Sequence, residues 1–193
     1  MGFLDEFMGT LGPDVASQMA KSLNIDADSA MKMIPQVAPL ILGGLKRQKD
    51  ERGGDARVDH ILNKYGSASV LDDIAGLVTS KAQDRNPDPK LGGLLGDSGV
   101  QAANMLSNQF NLSGNSSSQV ITMLAPLVLG FLTKKRDTGG AGSSGIGALL
   151  DQDGDGSVLD DVAGFLMKGL GGGAQGGSDL IGGLLGGLFG GKK

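Results

Sequence analysis

At 193 residues the chain is long enough for one good-sized domain or two small ones, with a core that needs no covalent staple. Hydrophobic residues make up 39% but aromatics only 4%, so Leu, Ile, Val, Met and Ala must do the packing, which suits helices better than sandwiches. A formal charge of −4 opposes non-specific binding to phosphate backbones, and the absence of Cys excludes disulfides, thiolate nucleophiles and thiolate metal sites.

The N-terminal stretch lacks the basic flank and apolar core of a signal peptide, so a cytoplasmic location is expected. Pro13 stands in the first turn of a helix running to about Leu23, where its missing N–H costs little. Asp26 or Asp28 caps the next helix, which is apolar almost all round from about Ser29 to Lys46 and so belongs in the centre of a bundle. Pro39 should kink or break that helix. Gly43 allows a close neighbour, and Lys46, Arg47 and Lys49 close the helix where the macrodipole favours cations. His60 lies beside Val58, Ile61 and Leu62 on a helical face, as a surface or half-buried residue. A last short helix begins at Ser69, and residues 84–90, with Pro87 and Pro89, form a linker.

The remainder repeats this order. Asn24 pairs with Asn111 at an offset of 111 − 24 = 87, and the same offset pairs Ala38-Pro39-Leu40-Ile41-Leu42-Gly43 with Ala125-Pro126-Leu127-Val128-Leu129-Gly130. Ser69-Val70-Leu71-Asp72-Asp73 matches Ser157-Val158-Leu159-Asp160-Asp161 at 157 − 69 = 88. Three blocks in one order point to an all-α tandem duplication of a multi-helix unit, packed as a compact helical array with Gly-rich linkers and tail. The expected domains are repeat one (1–83), a linker (84–90), repeat two (91–169) with an acidic loop (151–161), and a Gly-rich tail (170–193). In repeat two, residues 116–118 take the capping role. Pro126 and Gly130 recur inside the apolar helix from about Ser118 to Lys134, and Lys134, Lys135 and Arg136 recur near its end. The longest apolar run, residues 120–132, falls well short of the ~20 residues of a membrane span, so no transmembrane segment is expected.

The Ala-Pro-Leu-(Ile/Val)-Leu-Gly helix, the Ser-Val-Leu-Asp-Asp box and the Leu-Gly-Gly-Leu-Leu-Gly runs together resemble the YidB-like bacterial proteins, a domain-of-unknown-function family (the one numbered 937). The resemblance covers roughly residues 4–188. It implies a bacterial source and an all-α fold, and it supplies no activity.

The sharpest chemical constellation is Asp151-Gln-Asp153-Gly-Asp155-Gly156-Ser157. Calcium takes six to eight oxygens, and alternating aspartates before a turn-making Gly wrap carboxylates around one point. Asp151, Asp153 and Asp155 fit the first ligand positions, the Ser157 carbonyl fits the seventh, and Asp160 or Asp161 closes a shortened cage. The usual twelfth-position Glu is replaced by Val162, so affinity should be modest. The other open reading is an acidic helix start, with Ser157 and Asp160 as a capping-box-like pair. Repeat one carries Asn63, Tyr65 and Ser67 at the corresponding positions and should not bind.

The tail pairs Leu180-Ile181, Leu184-Leu185 and Leu188-Phe189 with intervening glycines, giving a greasy and a smooth helical face. At about 1 kcal/mol per glycine such a helix does not stand alone, so it either docks on a partner, a second copy or a membrane surface, or stays disordered. Other motifs fail. Gly96-Asp97-Ser98-Gly99 has only one histidine in the chain to serve it and is a helix start, and the phosphate-loop-like spacing at residues 186–193 follows no strand. The chain is therefore expected to be a non-enzymatic structural or interaction protein, with a protein partner or homo-oligomer and calcium tuning. The alternative is nucleic-acid binding through helix-turn-helix-like pairs, although the second helix of each pair is apolar where a recognition helix needs polar side chains, and no nucleic-acid partner is expected.

Overall fold

A computed structural model describes residues 3–139. Among them lie seven α-helices and no strand: α1 (Phe3–Thr10), α2 (Gly12–Leu23), α3 (Ala27–Arg52), α4 (Gly54–Tyr65), α5 (Ile74–Ala82), α6 (Asp97–Phe110) and α7 (Gly114–Gly139). Short 3-10 turns occupy Ala68–Leu71 and Leu91–Gly93.

Local chemistry explains most of the boundaries. Pro13 sits in the first turn of α2, and α2 stops at Asn24, whose φ of 54° is left-handed. Its N–H and that of Ile25 both bond the Ala20 carbonyl. Helix α6 stops in the same way at Asn111 (φ 52°), with its N–H and that of Leu112 on the Ser107 carbonyl. Asn tolerates this region better than most side chains. Asp26 then caps α3, accepting from the Ser29 N–H (2.7 Å) and hydroxyl (2.6 Å). These two bonds hold its carboxyl below the usual carboxylate range, the hydroxyl first.

Three expectations need correction here. The cap ahead of α7 is Ser113, whose hydroxyl accepts from the Ser116 N–H (3.1 Å), so the helix starts before residues 116–118. Pro39 and Pro126 do not break their helices, and α3 runs unbroken through both Pro35 and Pro39. Each proline forfeits one backbone bond, but α3 is buried along most of its length, and burial of that apolar surface outweighs the loss. The final helix of the first half begins at Ile74, not Ser69: Ser67 caps the 3-10 turn, and Asp73 caps α5 by accepting from the Gly76 N–H (2.8 Å). A Cβ on Gly76 would lie 2.2 Å from the Asp73 carboxylate, so the Asp-Asp-Ile-Ala-Gly run is a cap with its clearance built in.

Helices α3 and α7 form the centre and pack on each other. Helices α2 and α4 flank α3, while α6, α5, α4 and the 68–71 turn cover α7; α2 also packs on α5. Phe131 of α7 meets Phe3 and Phe7 of α1 edge-on, with ring centroids 5.3 and 5.4 Å apart. Residues of α1 to α7 contribute to one apolar core. Helix α7 over residues 114–138 is in fact long and apolar enough to cross a bilayer, further than the 120–132 run suggested. Its most apolar window is 83% buried by its neighbours, which is how the core helix of a bundle satisfies that composition.

Glycine permits the closest approach to α7. A Cβ on Gly130 would lie 2.8 Å from the Ser67 carbonyl oxygen and from Val70 Cγ2, and one on Gly66 would lie 2.8 Å from the Leu129 backbone. Helix α3 makes its equivalent contact through Gly44, where a Cβ would come within 2.6 Å of the Leu94 carbonyl.

Candidate functional site

The basic residues near the ends of α3 and α7 do more than face the macrodipole. Arg136 bonds Asp59 (2.9 Å) and Asn63 (3.1 Å) of α4, and Lys135 pairs with Glu6 of α1. Arg47 donates to the carbonyls of Gly93 (3.2 Å) and Leu94 (3.0 Å), and Lys49 pairs with Asp55 (2.9 Å). Apart from Lys49–Asp55, which links consecutive helices, these contacts join elements distant in sequence.

Arg47 holds one end of the segment between α5 and α6, which the sequence presents as a plain linker. It is a shaped wall. Asp84 accepts from the Asn86 N–H (3.0 Å), while Asp88 accepts from the N–H groups of Lys90 and Gly92 (2.9 Å each). Leu91, Gly92 and Gly93 all have positive φ, which folds the chain tightly around the Lys90 carbonyl. The buried Gln119 of α7 pins the other end, donating to the carbonyls of Ala82 (2.6 Å) and Asp84 (2.8 Å). At the α6 start Asp97 pairs with Lys90 (2.9 Å), which depresses the carboxyl and raises the ammonium.

Between this wall and α3, α4 and α7 lies a cleft of about 410 Å³. Ile61, Leu94, Ala125 and Leu129 give it an apolar floor. Arg52, Arg57 and Lys81 stand on its rim, and none of them is ion-paired with a carboxylate among the described residues. Arg57 Nε donates to Gln48 Oε1 (3.2 Å), which fixes one guanidinium edge and leaves the others available. Asp84 and Asp88 also line the cleft and carry negative charge; Asp88 accepts backbone N–H groups on both carboxylate oxygens and Asp84 accepts one from Asn86. Tyr65, 56% exposed, completes the opening. The arrangement can receive a chain that carries carboxylates over an apolar contact. Sequence reasoning missed it, because its wall depends on Arg47 and Gln119, each more than thirty residues from its partner in the wall.

Among the described residues no three His, Asp or Glu side chains converge as a metal site. The calcium candidates Asp151, Asp153, Asp155, Ser157, Asp160 and Asp161 lie outside the described residues, as does the 170–193 tail. His60 is exposed on α4, and Asp97-Ser98 opens α6 as a helix start. The second helices of the two helix-turn-helix-like pairs, α3 and α7, form the buried centre of the fold and present little surface to a groove.

Comparison with known proteins gives one relationship. No curated protein and no solved structure matches the chain significantly. A family model described as "Bacterial protein of unknown function (DUF937)" matches residues 5–135, which span α1 to α7 and every wall of the cleft. Two-thirds of the sequence thus follows the pattern of that bacterial family, and the chain belongs to it.

Proposed function

We propose that this chain is a non-enzymatic interaction protein whose helical body holds an acidic segment of a protein partner in the cleft beside α4. The observation that carries the reading is the grouping of three cations without an ion pair among the described residues, Arg52, Arg57 and Lys81, around one opening where they outnumber the two carboxylates Asp84 and Asp88. Solvent-exposed pairs contribute only about 0.2–1 kcal/mol each, so the affinity should be modest and should weaken as salt rises. A fluorescein-labelled Asp/Glu-rich decapeptide should bind by anisotropy, and replacing Arg52 and Arg57 with Glu should lower its affinity at least about tenfold, or 1.4 kcal/mol. Equal binding by that variant, with an unchanged melting curve, would refute the cleft as the site.

The same proposal treats the chain as two copies of one unit, self-associating and tuned by calcium in the second copy. The turns at Asn24 and Asn111 and the caps Asp26 and Ser113, all 87 residues apart, support the duplication. Calorimetric titration should give calcium binding that Asp155→Ala abolishes, and light scattering should give a multimer that loses mass without residues 180–193. No heat at millimolar calcium removes the metal from the proposal, and a monomer with or without the tail removes self-association.

A further inference from the structure

The cleft beside α4 carries little net charge. Arg52, Arg57 and Lys81 line it together with Asp84 and Asp88, so three cations against two carboxylates leave one positive charge in excess. Resting on the partner site proposed above, we infer that this cleft reads a single carboxylate next to an apolar side chain, not a run of acidic residues.

Charge sets the number of carboxylates. The first to enter neutralises the excess, and each further one is repelled by Asp84 and Asp88. Both aspartates are held in place by backbone N–H groups of the wall (2.9 to 3.0 Å), so neither can swing away. The floor sets the neighbour. A carboxylate loses solvation against Ile61, Leu94, Ala125 and Leu129 without gaining a partner, whereas an aliphatic side chain gains by leaving water there. The half-buried Leu91 and Pro126 extend the apolar lining, and about 410 Å³ is room enough for such a side chain.

Geometry selects Arg57 as the reader of the carboxylate. Its Nε donates to Gln48 Oε1 (3.2 Å), and Gln48, only 3% exposed, donates from Nε2 to the Gly93 carbonyl of the wall in a long bond (3.5 Å). The guanidinium is thereby fixed in orientation, with its two terminal nitrogens left to take both oxygens of a carboxylate. Arg52 is exposed and Lys81 ends in a freely rotating ammonium. Neither side chain is tethered among the described residues, so these two supply field without direction.

Tyr65 provides a readout confined to the site, because it is the chain's only tyrosine, there is no tryptophan, and it stands at the opening. The full chain should be titrated with three capped decapeptides free of aromatic residues, by tyrosine emission and by calorimetry. The first has one Glu between two leucines in a Gly/Ser background, the second has Gln in place of that Glu, and the third is Asp/Glu-rich without leucine. The first should change Tyr65 emission and bind at least about tenfold more tightly than the third, as burial of one leucine side chain predicts. The Gln peptide should bind about fivefold more weakly than the first. Arg57→Lys, which keeps the charge, should lose the same factor with the Glu peptide and stay within about twofold of wild type with the Gln peptide. Equal or tighter binding of the third peptide, still weakened by charge reversal at Arg52 and Arg57, would overturn this inference and leave the acidic-segment reading standing. Tight binding of the first peptide that ignores both the Gln replacement and Arg57→Lys would overturn the reading of a carboxylate by Arg57. Binding of none of the three would overturn both.

Discussion

Phe7→Ala should lower the stability of the folded protein by about 3–5 kcal/mol, measured by urea unfolding monitored by far-UV circular dichroism. Phe7 is fully buried and touches Phe3 on its own helix and Phe131 on α7. Helix α1 has only eight residues, too few to persist without tertiary contacts, so its aromatic pair is what attaches it to the core. Removing the ring loses its transfer free energy and leaves a cavity between α1 and α7. Against a total stability of roughly 5–15 kcal/mol, that change leaves a much larger unfolded fraction at physiological temperature. Phe7→Leu keeps most of the volume and should cost less than half as much. A loss under about 1 kcal/mol for Phe7→Ala would show that α1 does not pack on Phe131 in solution.

Gly99→Ala is the second large effect, about 2–4 kcal/mol, and it reaches the cleft as well as the core. A Cβ at residue 99 would lie 1.8 Å from the Pro89 carbonyl oxygen and 3.1 Å from Leu95 Cβ. Neither is the end of a flexible side chain, so the backbone of residues 89–95 must move. That backbone carries the Asp88 turn and the carbonyls held by Arg47, so the wall of the cleft moves with it. The variant should therefore lose affinity for the acidic decapeptide in addition to melting earlier. Gly114→Ala is the contrasting case, because nothing lies within 4 Å of its Cβ position, and it should melt within a degree or two of wild type. Equal stability of Gly99→Ala and Gly114→Ala would rule out the close packing of α6 on the 84–94 segment.

Particular residues show how far the sequence could be read. Pro13 and Asp26 mark the starts of α2 and α3 through interactions confined to one helical turn, and both are visible without a structure. Ser113 was equally accessible, since carrying Asp26 forward by 87 lands on it. Only the attraction of three consecutive serines pointed elsewhere. The start at Ser69 misled for a different reason: Ser69 and Asp72 have the spacing of a cap, but docking of the 68–71 turn on Gly130 hands the capping role to Asp73. The continuity of α3 through Pro39 likewise depends on burial, which no local propensity records. The acidic loop, though legible as a pattern, lies outside the described residues.

By itself the sequence determined that this protein is helical, where α3 begins, and which glycines recur. Periodicity, caps and left-handed turns are settled between residues a few positions apart. Only the tertiary structure decided that residues 84–94 form a wall, that Arg47 and Arg136 bridge elements, and that Arg52, Arg57 and Lys81 share one opening. Those outcomes arise from non-directional burial of α3 against α7, which brings together side chains tens of residues apart with no local signal of the meeting.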